Sequence, residues 1–294
     1  MKILICSDGT PPSDNATQLA ARFAAPLQAE TTLLGIVEDA GDEPALRQAL
    51  ETQALSLRQD GVALEIVMQS GEPVRQILNQ TSTSKYDLVV IGARRTGATG
   101  HYWRSERTYE VIKAIHPPVL VAIGEGKTLD RFLVCTGGKA FIDDAVQLTG
   151  KLAAAVGARV TLLHVMAEPP AIYADLVRLE EDVDQLLESN SELGLNLRKQ
   201  KEDLGRLGVI AEVRVRHGIV VDQVFDEVRA GNYNLIVTGT PRAGGAFRHY
   251  IMGNLTRSIV NGTSCPVLVA RAGEPKAAHS LWRALTVLFA PKRA

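Results

Sequence analysis

The sequence lacks several features that would assign a function at once. It has no excess of one charge: 32 lysines and arginines stand against 33 aspartates and glutamates, a formal charge of −1. So balanced a chain offers a polyanion no overall attraction, and nucleic acid is not an expected partner. No apolar run reaches the ~18 residues of a membrane-spanning helix. Met1 and Lys2 lead straight into a strand-like run with Asp8 close behind, which leaves no signal-peptide core. A cytoplasmic location is therefore expected. Only three cysteines occur, Cys6, Cys135 and Cys265, with no close pairing. Such a set fits a reducing compartment rather than a disulfide framework, and the apolar settings of Cys6 and Cys135 point to inert thiols. The six histidines, at 101, 116, 164, 217, 249 and 279, show no metal-ligand spacing, so no metal is expected. No nucleophile, base and orienting group can be assembled, which argues against an enzyme and leaves only weak ATP hydrolysis open. Asp143 and Asp144 fall at a helix start, where carboxylates complement the dipole without any catalytic duty.

What the chain does have is repetition. ILICSDGTPPSDNATQLAARFA (3–24) runs beside FLVCTGGKAFIDDAVQLTGKLA (132–153) without a gap at an offset of 129, which also pairs TTLLGIV (31–37) with VTLLHVM (160–166). GVALEIVMQSGEPVRQIL (61–78) pairs with GVIAEVRVRHGIVVDQVF (208–225), and YDLVVIGARRTG (86–97) with YNLIVTGTPRAG (233–244), both at 147. PPVLVA (117–122) meets CPVLVA (265–270) at 148. A duplicated unit explains all five matches. The expected division is one domain over 1–124, a linker GEGKTLD at 124–130, a second domain over 130–272 and an amphipathic tail over 273–294.

Within each copy short apolar runs alternate with helical patterns. In the first, strands are predicted at 2–7, 31–37, 62–69, 86–91 and 118–123, with helices between them. That alternation calls for an α/β fold, here two tandem doubly wound five-stranded parallel-sheet domains of Rossmann-like type. If strands two and three lie on one side of strand one and strands four and five on the other, the winding reverses between strands one and four, where ligands bind. GTPRAGGAFRHYIMGN (239–254) leaves strand four of the second copy at that point. It reads either as a phosphate-holding loop or as a strand-to-helix turn whose glycines serve geometry alone. The second copy is also longer by 18 residues; 171–207 carries leucine or valine at 176, 179, 183, 186, 193, 197, 204 and 207, the spacing of one long helix. It is expected to lie over its own sheet, with a lid or partner-binding helix as the alternative.

Taken together, ILICSDGT, TTLLGIV, the IG or TG exit from strand four and the PVLVA close resemble the universal stress protein family, in a tandem two-domain form. The resemblance implies a pseudo-two-fold pair in which the PVLVA strands, 118–122 and 266–270, meet, so that one chain mimics a homodimer. It also implies stress-response function. The family contains ATP binders and members that bind no nucleotide. Its binders share an aspartate after strand one, at the adenosine end, and a Gly-x2-Gly-x9-Gly-Ser/Thr loop that holds phosphates and ribose.

In the second copy Gly239 fits that loop, Arg242 replaces the second glycine, Gly244 and Gly245 follow, and Gly253-Asn254 stands where Gly-Ser would be. The aspartate position is Gly137. Gly137, Gly138 and Lys139, in CTGGKAF, are similar in part to the loop of ATP pyrophosphatases and could form an anion nest, though the aspartate and second serine of that loop are missing. In the first copy Asp8 is present, Gly92 starts the loop, Arg95 replaces the second glycine, and Glu106 opposes a triphosphate. ATP or another adenine nucleotide is thus the expected ligand, held chiefly in the second domain. The alternative is a nucleotide-free interaction protein that works through 171–207 and the tail, with a protein partner the sequence does not name. In the tail Leu281, Trp282, Leu285, Leu288 and Phe289 share a helical face, expected to dock on the protein itself or on a second copy in a homodimer; a membrane surface ranks below both.

Overall fold

Each apolar run paired by the repeat becomes a strand. In a computed structural model the described residues are 1–93, 106–124, 128–137, 142–166, 183–240 and 254–271. In the first half the strands are β1 (Lys2–Ser7), β2 (Glu30–Val37), β3 (Leu64–Ser70), β4 (Leu88–Gly92) and β5 (Val119–Ala122). Between them lie the helices α1 (Pro11–Ala24), α2 (Glu43–Gln59), α3 (Pro73–Thr83) and α4 (Glu106–Ala114). The second half repeats them as β6 (Arg131–Cys135), α5 (Asp143–Val156), β7 (Arg159–Met166), α6 (Val183–Glu188), α7 (Glu192–Arg206), β8 (Ala211–His217), α8 (Val220–Gly231), β9 (Leu235–Thr240), α9 (Asn254–Gly262) and β10 (Val267–Arg271).

Local chemistry sets the helix ends. Proline stands in the first turn of α1, α2 and α3, where its missing N–H is no loss. Glu72 caps α3 by accepting from the backbone N–H groups of Val74 and Arg75 at 2.8 and 2.7 Å. The single helix expected over 171–207 is not what forms in its described part. Ser191 turns its hydroxyl to the N–H of Gly194 at 3.0 Å and starts a new helix, so α6 and α7 are separate; residues 171–182 lie outside the described residues. Leu197 and Leu204 of α7 are fully buried over the sheet, in keeping with a segment that covers its own domain.

The ten strands of the described residues form one sheet, ordered β3-β2-β1-β4-β5-β10-β9-β6-β7-β8. Each half is parallel throughout, with strand order reversing at β1/β4 and at β6/β9. The halves join where β5 and β10 pair antiparallel, with Leu120 opposite Leu268 flanked by the pairs Val119–Val269 and Val121–Val267. The PVLVA strands therefore meet as the resemblance implied, and the strands of the two halves run in opposite directions, so their carboxyl ends lie at opposite ends of the strand axis. Both faces of the sheet are apolar, and on each the buried cluster runs through both halves. Phe23 of α1 meets Phe132 of β6 edge to face at 6.4 Å. Arg271 crosses the seam to donate from its guanidinium to the carbonyls of Ile112 and Ile115 at the end of α4.

The repeat is also visible in side-chain detail. Thr32 donates to Glu65 at 2.9 Å and Thr161 to Glu212 at 2.9 Å. The Lys2 ammonium lies 5.2 Å from the centre of the Tyr86 ring, and the Arg131 guanidinium 5.4 Å from that of Tyr233. One pair has changed charge. Gln80 donates to the Tyr86 hydroxyl at 2.8 Å and accepts from Gln69 at 2.8 Å, whereas at the same places Glu227 accepts from Tyr233 at 2.7 Å and from Arg216 at 2.7 Å.

Candidate functional site

The two reversals of strand order create two crevices, one at the carboxyl ends of β1 and β4 and one at those of β6 and β9. In the first half the chain leaves β1 through Asp8, whose Oδ1 accepts from the backbone N–H and the hydroxyl of Thr10 in a turn that starts α1. Ser7 Oγ accepts from the N–H of Gly9 at 3.1 Å and donates to Ser13 Oγ at 3.1 Å. Gly9 has a φ of +72°, and a Cβ there would lie 3.1 Å from Cβ of Ala49. On the next strand a Cβ on Gly35 would lie 2.4 Å from Cδ1 of Leu50, which is fully buried. Helix α2 thus lays Leu46, Ala49 and Leu50 across the ends of β1 and β2, closing that side of the crevice with apolar groups. Behind them Gln53 donates from Nε2 to Asp14 at 2.6 Å, while its Oε1 is buried without a partner. Gly92 ends β4 beside Ala122. Arg95 lies outside the described residues, as does the side chain of Glu106.

In the second half the same positions carry different chemistry. Thr136 follows β6, with its N–H on the carbonyl of Leu163 at 2.9 Å and its hydroxyl donated to Oε1 of the fully buried Gln200 at 3.1 Å. His164, at the place of Gly35 in the repeat, is half-buried near the end of β7, with Nδ1 3.0 Å from the carbonyl of Thr136. Gly137 is exposed beside them. Gly239 lies in β9 opposite Ala270, where a Cβ would meet Ile142 at 3.4 Å, an ordinary contact. Asn254 is the first residue of α9, and Thr256, within the same first turn, shares a hydrogen bond of 3.0 Å with Thr238. The expected site residues Arg242, Gly244, Gly245, Gly253, Gly138 and Lys139 lie outside the described residues, as does the Asn254 side chain. Of the expected set, the structure brings Gly137 and Gly239 to one crevice and Asp8 and Gly92 to the other.

Three side chains at the second crevice went unmarked in the sequence: Thr136, His164 and Gln200. His164 reads there as one of several scattered histidines. The signal was its column in the repeat, where a glycine in one copy faces an imidazole in the other. The cysteines behave as expected: burial pushes the thiols of Cys6 and Cys135 up to about 12, which keeps them protonated at neutral pH. Asp143 does more than complement a helix dipole, since it forms an ion pair with Lys199 of α7. The pairing raises the pKa of Lys199, chiefly through its hydrogen bond to Asp143. Among the described residues no group of three histidine, cysteine or acidic side chains is placed to hold a metal ion, and no helix is long and apolar enough to cross a membrane.

Comparison with known proteins adds the lineage. The sequence profile of the universal stress protein family matches the chain twice, over residues 1–122 and 128–271. The universal stress protein in the QAH/OAS sulfhydrylase 3′ region of Thermus aquaticus is 30% identical over 134 residues, covering 40% of this chain and 96% of that protein. A universal stress protein structure from Archaeoglobus fulgidus superposes with a TM-score of 0.67 at 17% identity, over 92% of this chain and 98% of its own. A Pseudomonas aeruginosa protein of unknown function superposes with a TM-score of 0.65 at 13% identity, over 98% and 97%. At such identities the structures speak for the fold alone, and it is the double profile match, over a chain whose halves already repeat strand for strand, that places this protein in the universal stress protein family with two of its domains in tandem.

Proposed function

We propose that the protein is a cytoplasmic, adenine-nucleotide-responsive binding module in stress adaptation, taking ATP or a related nucleotide chiefly in its second domain. The observation that carries this reading is the contrast between the crevices. In the first, Leu46, Ala49 and Leu50 lie against Gly9 and Gly35, and Oδ1 of Asp8 is engaged in its own turn. In the second, Thr136 and the exposed Gly137 leave β6 beside β9, from which the 239–254 loop departs for α9, and His164 stands at the end of the next strand, β7. In that loop Gly239, Arg242, Gly244, Gly245, Gly253 and Asn254 would supply phosphate contacts at a helix N-terminus, and Gly138 and Lys139 would add a second anion contact. Gly92 and Arg95 would form a weaker counterpart. The alternative of an interaction protein built on the insertion has less support, since the described part of that segment contributes Leu197 and Leu204 to the protein's own core.

The test is calorimetry of ATP, AMP and adenosine against the full chain. Gly253→Val, which crowds the backbone cradle, should weaken ATP binding by roughly tenfold or more. Asp8→Ala should leave it nearly unchanged. Loss of ATP binding in Asp8→Ala but not in Gly253→Val would move the working site to the first domain.

A further inference from the structure

We propose that His164 supplies the hydrogen-bond acceptor for the nucleoside part of a nucleotide bound in the second domain, in place of the carboxylate that Gly137 lacks. The inference rests on the nucleotide reading above and assigns one side chain a role within it. The argument starts from the tautomer. A backbone carbonyl can only accept, so the 3.0 Å contact between Nδ1 and the carbonyl of Thr136 puts the imidazole proton on Nδ1. In the neutral ring the lone pair is then on Nε2. Among the described residues Nε2 has no hydrogen-bond partner, and the residue is half-buried rather than part of the core.

The carbonyl that orients the ring is itself held. The N–H of Thr136 is bonded to Leu163, and its hydroxyl to Gln200, whose side chain is fully buried. A fixed peptide, a fixed tautomer and a ring at the carboxyl end of β7 together make a preorganised acceptor next to the exit of β6. In the first half the arrangement is reversed. There Asp8 follows β1, and the place of the imidazole is a glycine closed over by Leu50. The acceptor thus stands at the end of β1 in one half and at the end of β7, the neighbour of β6, in the other. What such an acceptor takes is a hydroxyl or amino donor, which a nucleoside offers on its ribose and its base and which inorganic tripolyphosphate does not.

The experiment measures ATP and tripolyphosphate binding to the native full chain, His164→Leu and His164→Gln, with melting temperatures to confirm folding. His164→Leu should lose about tenfold in ATP affinity, the scale of one hydrogen bond, and nothing toward tripolyphosphate. His164→Gln keeps a side-chain acceptor and should stay within about threefold of native. On native protein one of 2′-deoxy-ATP, 3′-deoxy-ATP or inosine triphosphate should bind more weakly than ATP, and that gap should close in His164→Leu. Equal ATP affinity in the native and leucine proteins, or a gap that persists for all three analogues, overturns the role of His164 while leaving the nucleotide reading standing. Failure of native protein to bind either ATP or tripolyphosphate overturns both.

Discussion

Replacing Glu227 by glutamine should destabilise the protein far more than its modest chemistry suggests, and a second substitution should repair the damage. The Glu227 side chain has no exposed surface and accepts from Tyr233 Oη at 2.7 Å, Arg214 Nη1 at 2.9 Å and Arg216 Nε at 2.7 Å. An amide in its place presents an NH2 group to donors. Removing one partner from a buried ion pair costs roughly 3–5 kcal/mol. Here Arg214 and Arg216 are 42% and 31% exposed and can turn to water. The low end applies, about 3 kcal/mol, or a melting temperature lower by roughly 6 °C in a chain of this size. The first half solves the same packing problem with Gln69 and Gln80. Arg216→Gln combined with Glu227→Gln should therefore return to within about 1 kcal/mol of native, because Arg216 and Glu227 change together and Arg214, 42% exposed, can turn to water.

The pH dependence has a definite sign. Burial alone would raise the pKa of Glu227, but hydrogen bonds from Tyr233 and Arg216 and the charges of Arg214 and Arg216 outweigh it and hold the carboxyl below its ordinary value. A depressed folded-state pKa gives stability that is complete above the unfolded value of about 4.3 and is lost as pH falls through the folded one. The gap between native and Glu227→Gln proteins should stay constant from about pH 8 to about pH 5 and narrow below about pH 4. Urea unfolding followed by circular dichroism across that range reads it directly. A single-variant cost under about 1 kcal/mol at neutral pH, a double variant no better than the single, or a gap unchanged at acid pH would refute the reasoning.

Gly35→Ala should cost about 1–3 kcal/mol, because its Cβ would sit 2.4 Å from Cδ1 of Leu50. Leu50→Ala alone should cost about 2–5 kcal/mol by leaving a cavity, yet with Leu50 truncated the Gly35 change should add almost nothing; strictly additive losses in denaturant titrations would sink this account. With both thiols near 12, Cys6 and Cys135 are thiolate in only about one molecule in ten thousand at pH 8. Iodoacetamide should modify neither before urea is added, and mass-spectrometric labelling of either in the folded protein would contradict the burial argument.

The fold was legible because the chain states it twice. A single LVVIG run is ambiguous between strand and helix, but the same run at the same place in two copies, each followed by a glycine exit and a PVLVA close, fixes five strands and their order. The helix break at Ser191 was masked by leucines that keep helical spacing on both sides of it, although a serine able to cap was in plain view. The crevices were located correctly, since strand order alone places them. Their lining was less legible, because Thr136 meets Gln200 and Gly35 meets Leu50 through tertiary packing that no local pattern announces. Asp8, expected as a ligand carboxylate, has its Oδ1 on the turn that begins α1, a duty invisible until the backbone path is known.

The antiparallel seam between β5 and β10 also bears on how this molecule can change. In an assembly of two identical chains every substitution appears twice, so a residue that suits one site is imposed on both. Here the two halves meet through the same strands, Leu120 against Leu268, but are encoded separately. Histidine can stand at 164 while Gly35 stays under Leu50, and one half can carry a Glu–Arg pair where the other carries two glutamines. Joining the halves in one chain holds them at a high effective concentration whatever the amount of protein in the cell, so neither half must remain self-complementary to find its mate. The seam thereby frees one crevice to close while the other keeps its polar groups.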